Sequence, residues 1–365
     1  MKQVTQTHHH NRAISTGKAI CIILMVIGHS GCPQLLRDWL YTFHMPFFFF
    51  VSGYLFSDRS LDTFIPFVKR KFKGLWWPFV KWNVIFILLH NLFYKLGFEN
   101  GDYSLIDVAQ KVGASFYMGD PELLLGTFWF LQQLIRVSII AWIILKACKY
   151  LSIYLSGIPY RILILFVNLL VAILALVSFW VDFRISGVIS KLTIISLLFY
   201  LSGYTFCHWI PMIGKACASS WMLALSLVMT ILGAIFNPAE MLTVKTNGVL
   251  PYWIVGLFGC VLVLNVSERL KSFEYTNRLD NIGKRTLIVM VWHFLMFKFL
   301  SLLLVRLDVI SPEGLLAWPV PSITKEGWWM LYSVIGVVFP LIIDAILRKI
   351  KEVFCILFPK TLQTK

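Results

Sequence analysis

The chain is built from about ten successive runs of roughly 20 apolar residues, and that repetition narrows its fold more than any other feature. A helix rises about 1.5 Å per residue, so each run crosses about 30 Å of hydrocarbon with every backbone N–H and C=O paired inside the helix. The strands of a membrane barrel would instead alternate apolar and polar residues over about ten positions. With 58% hydrophobic and 14% charged residues in 365, a soluble globular enzyme and a disordered chain are both excluded. The expectation is an all-α, polytopic transmembrane helix bundle forming one domain over 1–365.

The expected spans are 13–31, 39–56, 76–96, 123–145, 161–181, 192–210, 219–236, 249–266, 286–305 and 328–347. The net charge of +15 does not form the basic stripe of a nucleic-acid binder. Instead it gathers in alternate loops, as Lys69–Lys73, Lys146–Arg161, Arg269–Arg285 and Arg348–Lys351. The intervening loops hold Glu99, Asp102, Asp107, Asp120 and Glu122. Basic loops stay in the cytoplasm, so both ends are expected inside, with a polar tail at 1–12 and a basic tail at 348–365. The seven cysteines are scattered without metal or disulfide spacing, and no metal site is expected. His8–His10 is read as part of a solvated tail. The first run lacks a small-residue cleavage site and is expected to remain as the first helix.

Polar groups inside such runs are costly and mark candidate sites. In the first run Lys18 and His29 are eleven residues apart, about three turns, and so share one helix face roughly 16 Å apart. In the second, His44 precedes Pro46, which withdraws an amide hydrogen and is expected to kink the helix. Ser52 and Gly53 beyond it permit close helix approach. Trp129, Gln132, Gln133 and Arg136 share a face of the fourth run, lining a cavity or a buried network. His293 and Lys298 lie in the ninth. On the expected topology His293 sits nearer the cytoplasm than His29, so the two need not meet.

These residues carry a resemblance to the membrane acyltransferases of family 3, which include bacterial sugar and polysaccharide O-acetyltransferases. The first run reads Gly17-Lys18-Ala19-Ile20 through Gly28-His29-Ser30, with the family's basic residue, ten-residue spacer and histidine. His44-Met45-Pro46 through Ser52-Gly53-Tyr54-Leu55 is the second match; Phe128–Leu131 and Ile282–Leu287, leading to His293, are weaker ones. Ser15 stands where related sugar acetylases often carry an acid.

The resemblance implies transfer of an acyl group, most often acetyl, from cytoplasmic acyl-CoA to a hydroxyl of an extracytoplasmic or lipid-linked saccharide at a bacterial inner membrane. No tightly bound cofactor, metal or nucleic-acid partner is expected. Lys18 and Arg136 are the expected binders of the CoA phosphates. His29 is the expected general base, with His44 as second catalytic histidine. The oxyanion donor is left open among His44, Tyr54 and a freed helix amide. Trp129, Gln132, Tyr54 and His293 are expected to contact substrate. Alternatives are another donor such as succinyl-CoA, a non-sugar acceptor, a glycolipid or polysaccharide transporter or flippase, and a structural subunit of an envelope assembly. Transporters often show paired repeats, and none is visible in this chain.

Overall fold

The computed structural model of the chain describes residues 12–155, 157–180, 189–273 and 276–357. His8–His10 and the ends of both expected tails lie outside them. Among the described residues the regular structure is helical, with isolated bridge residues such as the antiparallel pair Glu240 and Lys245. The α-helices are α1 (Arg12–His29), α2 (Gln34–Tyr41), α3 (His44–Tyr54), α4 (Phe64–Lys71), α5 (Trp77–Lys95), α6 (Leu105–Phe116) and α7 (Trp129–Tyr154). They continue as α8 (Tyr160–Trp180), α9 (Lys191–Cys217), α10 (Ser220–Phe236), α11 (Val249–Leu270), α12 (Thr276–Gly283), α13 (Thr286–Arg306) and α14 (Trp329–Leu357).

Seven of these are long and apolar enough to cross a membrane: α1, α7 with the 3-10 turn before it, α8, α9, α11, α13 and α14. The chain is a multi-pass helical membrane protein. Large apolar side chains face outward on the helices, such as Phe166, Leu170 and Ile173 on α8 and Val228, Ile231 and Ile235 on α10. That is the arrangement of a bundle whose outer solvent is lipid.

Three expected spans depart from a continuous apolar helix. The second is broken rather than kinked: α2 stops at Tyr41, Phe43 leaves helical geometry at φ −141°, and α3 restarts at His44. Pro46 then falls in the first turn of α3, where its missing N–H has no helical partner to lose. α5 carries Lys81, Asn83, His90 and Asn91, and a π-helical turn, Phe72–Trp76, leads into it. α10 has only 17 residues.

The core is set by very close crossings. A Cβ on Gly53 would lie 1.8 Å from the Tyr200 carbonyl oxygen, and one on Gly203 would lie 1.8 Å from that of Phe50. α3 and α9 therefore touch backbone to backbone, as Gly53 and its neighbour Ser52 suggested. Gly283 is equally confined, 1.8 Å from the Ser15 carbonyl oxygen, so α12 lies against the first turns of α1. That fold-back decides the depth at which α13 begins.

Candidate functional site within the bundle

α1 positions both polar residues of its channel-facing side. Lys18 and His29 line a single cavity of about 310 Å³. Thr286 and Leu287 from the start of α13, and Gly74 and Leu75 from the π turn, contribute to its wall. Tyr41 and His44 flank the break between α2 and α3, and Glu240, Met241 and Leu242 come from the loop between α10 and α11. The rest of the wall is mainly apolar, with Ile22, Met25, Phe48, Trp129, Phe130 and Leu131.

His29 and His293 meet, which the sequence reading left open: their ring centroids are 5.7 Å apart. The reason is the packing of α12 on α1. It starts α13 beside Lys18, so seven further residues, about 10 Å of rise, carry His293 most of the roughly 16 Å to His29, and the two rings span the remainder. Phe294 lies edge-on to the His29 ring at 5.1 Å.

Backbone acceptors hold two of the imidazoles. His44 Nδ1 lies 2.7 Å from the Leu40 carbonyl oxygen. His293 Nδ1 lies 3.1 and 3.0 Å from those of Val289 and Met290. A ring nitrogen facing a carbonyl must donate, so in the neutral form of each ring the lone pair sits on Nε2. His293 Nε2 is buried with no hydrogen-bond partner. Beside His29, the Tyr41 hydroxyl is 3.4 Å from Nδ1 and 3.4 Å from the Gly28 carbonyl oxygen.

Trp129 lines the cavity, and Gln132, Tyr54, His293 and Arg136 do not; His293 stands behind the His29 ring. Gln132 Nε2 donates to the carbonyls of Met118 and Gly119 at 2.8 and 2.7 Å, pinning a loop to α7. Gln133 accepts from Thr193 at 3.1 Å. Tyr54 faces a separate groove with Phe206 and Glu268, and Arg136 is half-buried elsewhere on α7. Helical spacing groups residues on one face but not within one cavity. Tyr41 and Glu240 line the cavity and escaped the sequence reading. Tyr41 lies one turn before His44, a signal that could have found it; Glu240 stands in a loop whose place only tertiary packing sets.

Three further polar residues of the helices have structural partners. Asn83 donates to Ser115 and accepts from the amide of Glu122, and Asn168 donates to Ser202. Lys298 donates to the carbonyls of Leu315 and Ala317, securing the segment between α13 and α14.

Among the described residues, the group with metal-ligand character is His90, Glu99 and Glu122, all buried, with ligand atoms within 4.8 Å of one another. His90 meets Glu122 at 3.0 Å, Lys111 lies 3.4 Å from the same carboxylate, and the Tyr103 ring stacks on His90. With His90 and Lys111 on Glu122, these contacts knit the loops around α6. Burial pushes the Glu99 carboxyl up to about 7.

A multi-pass bundle enclosing a cavity with a cation on one end of α1 and imidazoles at the other defines a helical membrane protein with a polar-ended internal cavity. Residues 11–348 match the family described as acyltransferase domain, the family-3 acyltransferases, and the chain belongs to that family. Nothing among curated proteins or solved structures matches it significantly.

Proposed function

We propose that the protein is an O-acyltransferase that carries an acetyl group from cytoplasmic acetyl-CoA to a hydroxyl of a saccharide presented at the outer face. The observation that carries this reading is the single cavity holding Lys18 at one end and His29, Tyr41 and His44 at the other. The basic loops lie on the Lys18 side and would face the cytoplasm. Lys18 and the Lys69–Lys73 segment, which runs into the π turn of the cavity wall, suit the anionic phosphates of CoA. Arg136 would bear on the donor only from outside that cavity. The apolar middle, with Trp129, suits the narrow pantetheine arm.

A sugar hydroxyl is far too weak an acid to attack unaided, and an imidazole is a base matched to neutral pH. His29 takes the hydroxyl proton on Nε2, its Nδ1–H held by the Tyr41 oxygen while the Tyr41 hydroxyl donates to Gly28. The acceptor oxygen bonds to the thioester carbonyl carbon, and the carbonyl pair moves onto its oxygen. That oxyanion then collapses: the C–S bond breaks, its electron pair leaves on sulfur, and the proton on His29 passes to the thiolate. The products are the O-acetyl saccharide, free CoA and neutral His29. No cofactor or metal takes part in this scheme, and no nucleic acid is a partner. Its setting is a bacterial inner membrane.

The test is incubation of purified protein with acetyl-CoA labelled in the acetyl group, with succinyl-CoA in parallel. Release of CoA together with labelled ester on added glycan supports the reading. Turnover of succinyl-CoA alone changes the donor, and turnover of neither overturns acyl transfer.

A further inference from the structure

A second cleft of about 480 Å³ adjoins the cavity on the His29 side, and Tyr41 and Glu240 line both. The size is typical of small-molecule sites, which run from about 300 to 1,000 Å³. We propose that this cleft is the acceptor subsite and that it takes an uncharged saccharide ring; the assignment rests on the acyl-transfer reading above.

Its charged side chains come as two cations, Arg37 and Lys245, and two anions, Asp38 and Glu240. They sum to zero, so the cleft carries no net positive charge with which to favour a phosphate or a uronate over a neutral ring. What it offers is hydrogen bonding in pairs. A carboxylate accepts from two neighbouring hydroxyls at once, which is the pattern of adjacent hydroxyls on a sugar ring. Both carboxylates are held in place: Gln34 donates to Asp38 at 2.7 Å, and Thr243 donates to Glu240 at 2.9 Å. The loop bearing Glu240 is itself closed by its backbone pairing with Lys245.

An ion pair spans the junction of the two cavities. Arg37 reaches Glu240 at 3.7 Å from one wall to the other, with its guanidinium over the Tyr41 ring at 5.0 Å. The hydroxyl of the same Tyr41 is the group that meets His29. A ring hydrogen-bonded by Asp38 and Glu240 would therefore present one hydroxyl past Tyr41 to the base. Arg37 and Asp38 are positioning residues in this scheme, since neither touches the reacting atoms.

Two measurements test it. The first needs no turnover: Asn247, exposed at the cleft, is changed to cysteine, and its labelling by an impermeant thiol reagent is followed against the unmodified protein. Methyl β-glucoside, methyl β-galactoside and methyl N-acetyl-β-glucosaminide are added in turn, with glucuronate and glucose 1-phosphate as charged probes. Slowing of the label by a neutral glycoside and by neither charged sugar supports the assignment. Slowing only by the charged probes, or by none of the five, overturns it. The second is kinetic, with Asp38→Asn. Loss of a charge-assisted hydrogen bond should raise KM for the glycan acceptor about tenfold, and more than it changes kcat or the KM for acetyl-CoA. An equal rise in both KM values overturns the assignment. A wild-type protein that turns over no acyl-CoA but shows glycoside protection would sink the acyl-transfer reading and leave a saccharide cleft standing.

Discussion

At the scale of single residues, His29 carries the proposed chemistry because it ends α1 at the cavity, with Phe294 and His293 closing its far side. His29→Ala should lower acyl transfer by about 10²–10⁴-fold, the usual effect of losing a general base. Membrane insertion and detergent melting should stay near wild type. Full activity in the purified variant would remove His29 from the mechanism. Glu99 gives a residue-scale prediction of another kind. Burial raises its carboxyl from 4.5 to about 7 in the fold, so between those values the folded state holds more protons than the unfolded one. Stability from this group therefore falls as pH rises from about 4.5 to 7 and is flat above that window. Glu99→Gln has no such titration. Its melting temperature minus that of wild type should climb across the window; a difference independent of pH would contradict the assignment.

At the scale of elements, the glycine crossings and the fold-back of α12 place the helices. Gly53→Ala sets a methyl against the Tyr200 carbonyl, and that backbone cannot move without separating α3 from α9. The variant should lose the folded, monodisperse fraction in detergent. Ser52→Ala, one residue away, removes only a hydroxyl bonded to the Phe48 carbonyl and should cost about 1 kcal/mol. Similar melting curves for the two would mean that the crossing tolerates repacking. α12 seats the start of α13 beside Lys18, which is how a cation enters the cavity wall beneath an apolar stretch. Lys18→Ala should accordingly raise KM for acetyl-CoA more than it alters acceptor preference. Altered acceptor choice with an unchanged donor KM would place Lys18 elsewhere in the mechanism.

At the scale of the whole molecule, the proposed reaction joins a donor from one side of the membrane to an acceptor from the other. The orientation rests on the Lys and Arg bias between alternate loops. Ser104 caps α6 on the His29 side, and Ser272 follows α11 on the Lys18 side; both are exposed. Single cysteines at these positions, in a background without the native cysteines, should label differently in intact cells. An impermeant thiol reagent should reach position 104 and not 272. The reverse pattern would put His29 near the cytoplasm and end the two-sided scheme.

The sequence by itself determined that this chain is an all-helical membrane bundle, because only internally bonded helices bury so many apolar runs in lipid. It also determined that Lys18 and His29 share a face, since the period of a helix fixes that relation within one element. It did not determine how one helix sits in depth against another. That offset comes from packing: Gly283 against Ser15 raises α13 until His293 meets His29, and the break at Phe43 turns Tyr41 and His44 to the same cavity. Packing also sent Gln132 to loop carbonyls, left Arg136 off the cavity, and brought Glu240 to it from a loop with no periodicity to read. Relations within a helix follow from covalent geometry, whereas relations between helices follow from which surfaces can approach, and only the folded bundle decides those.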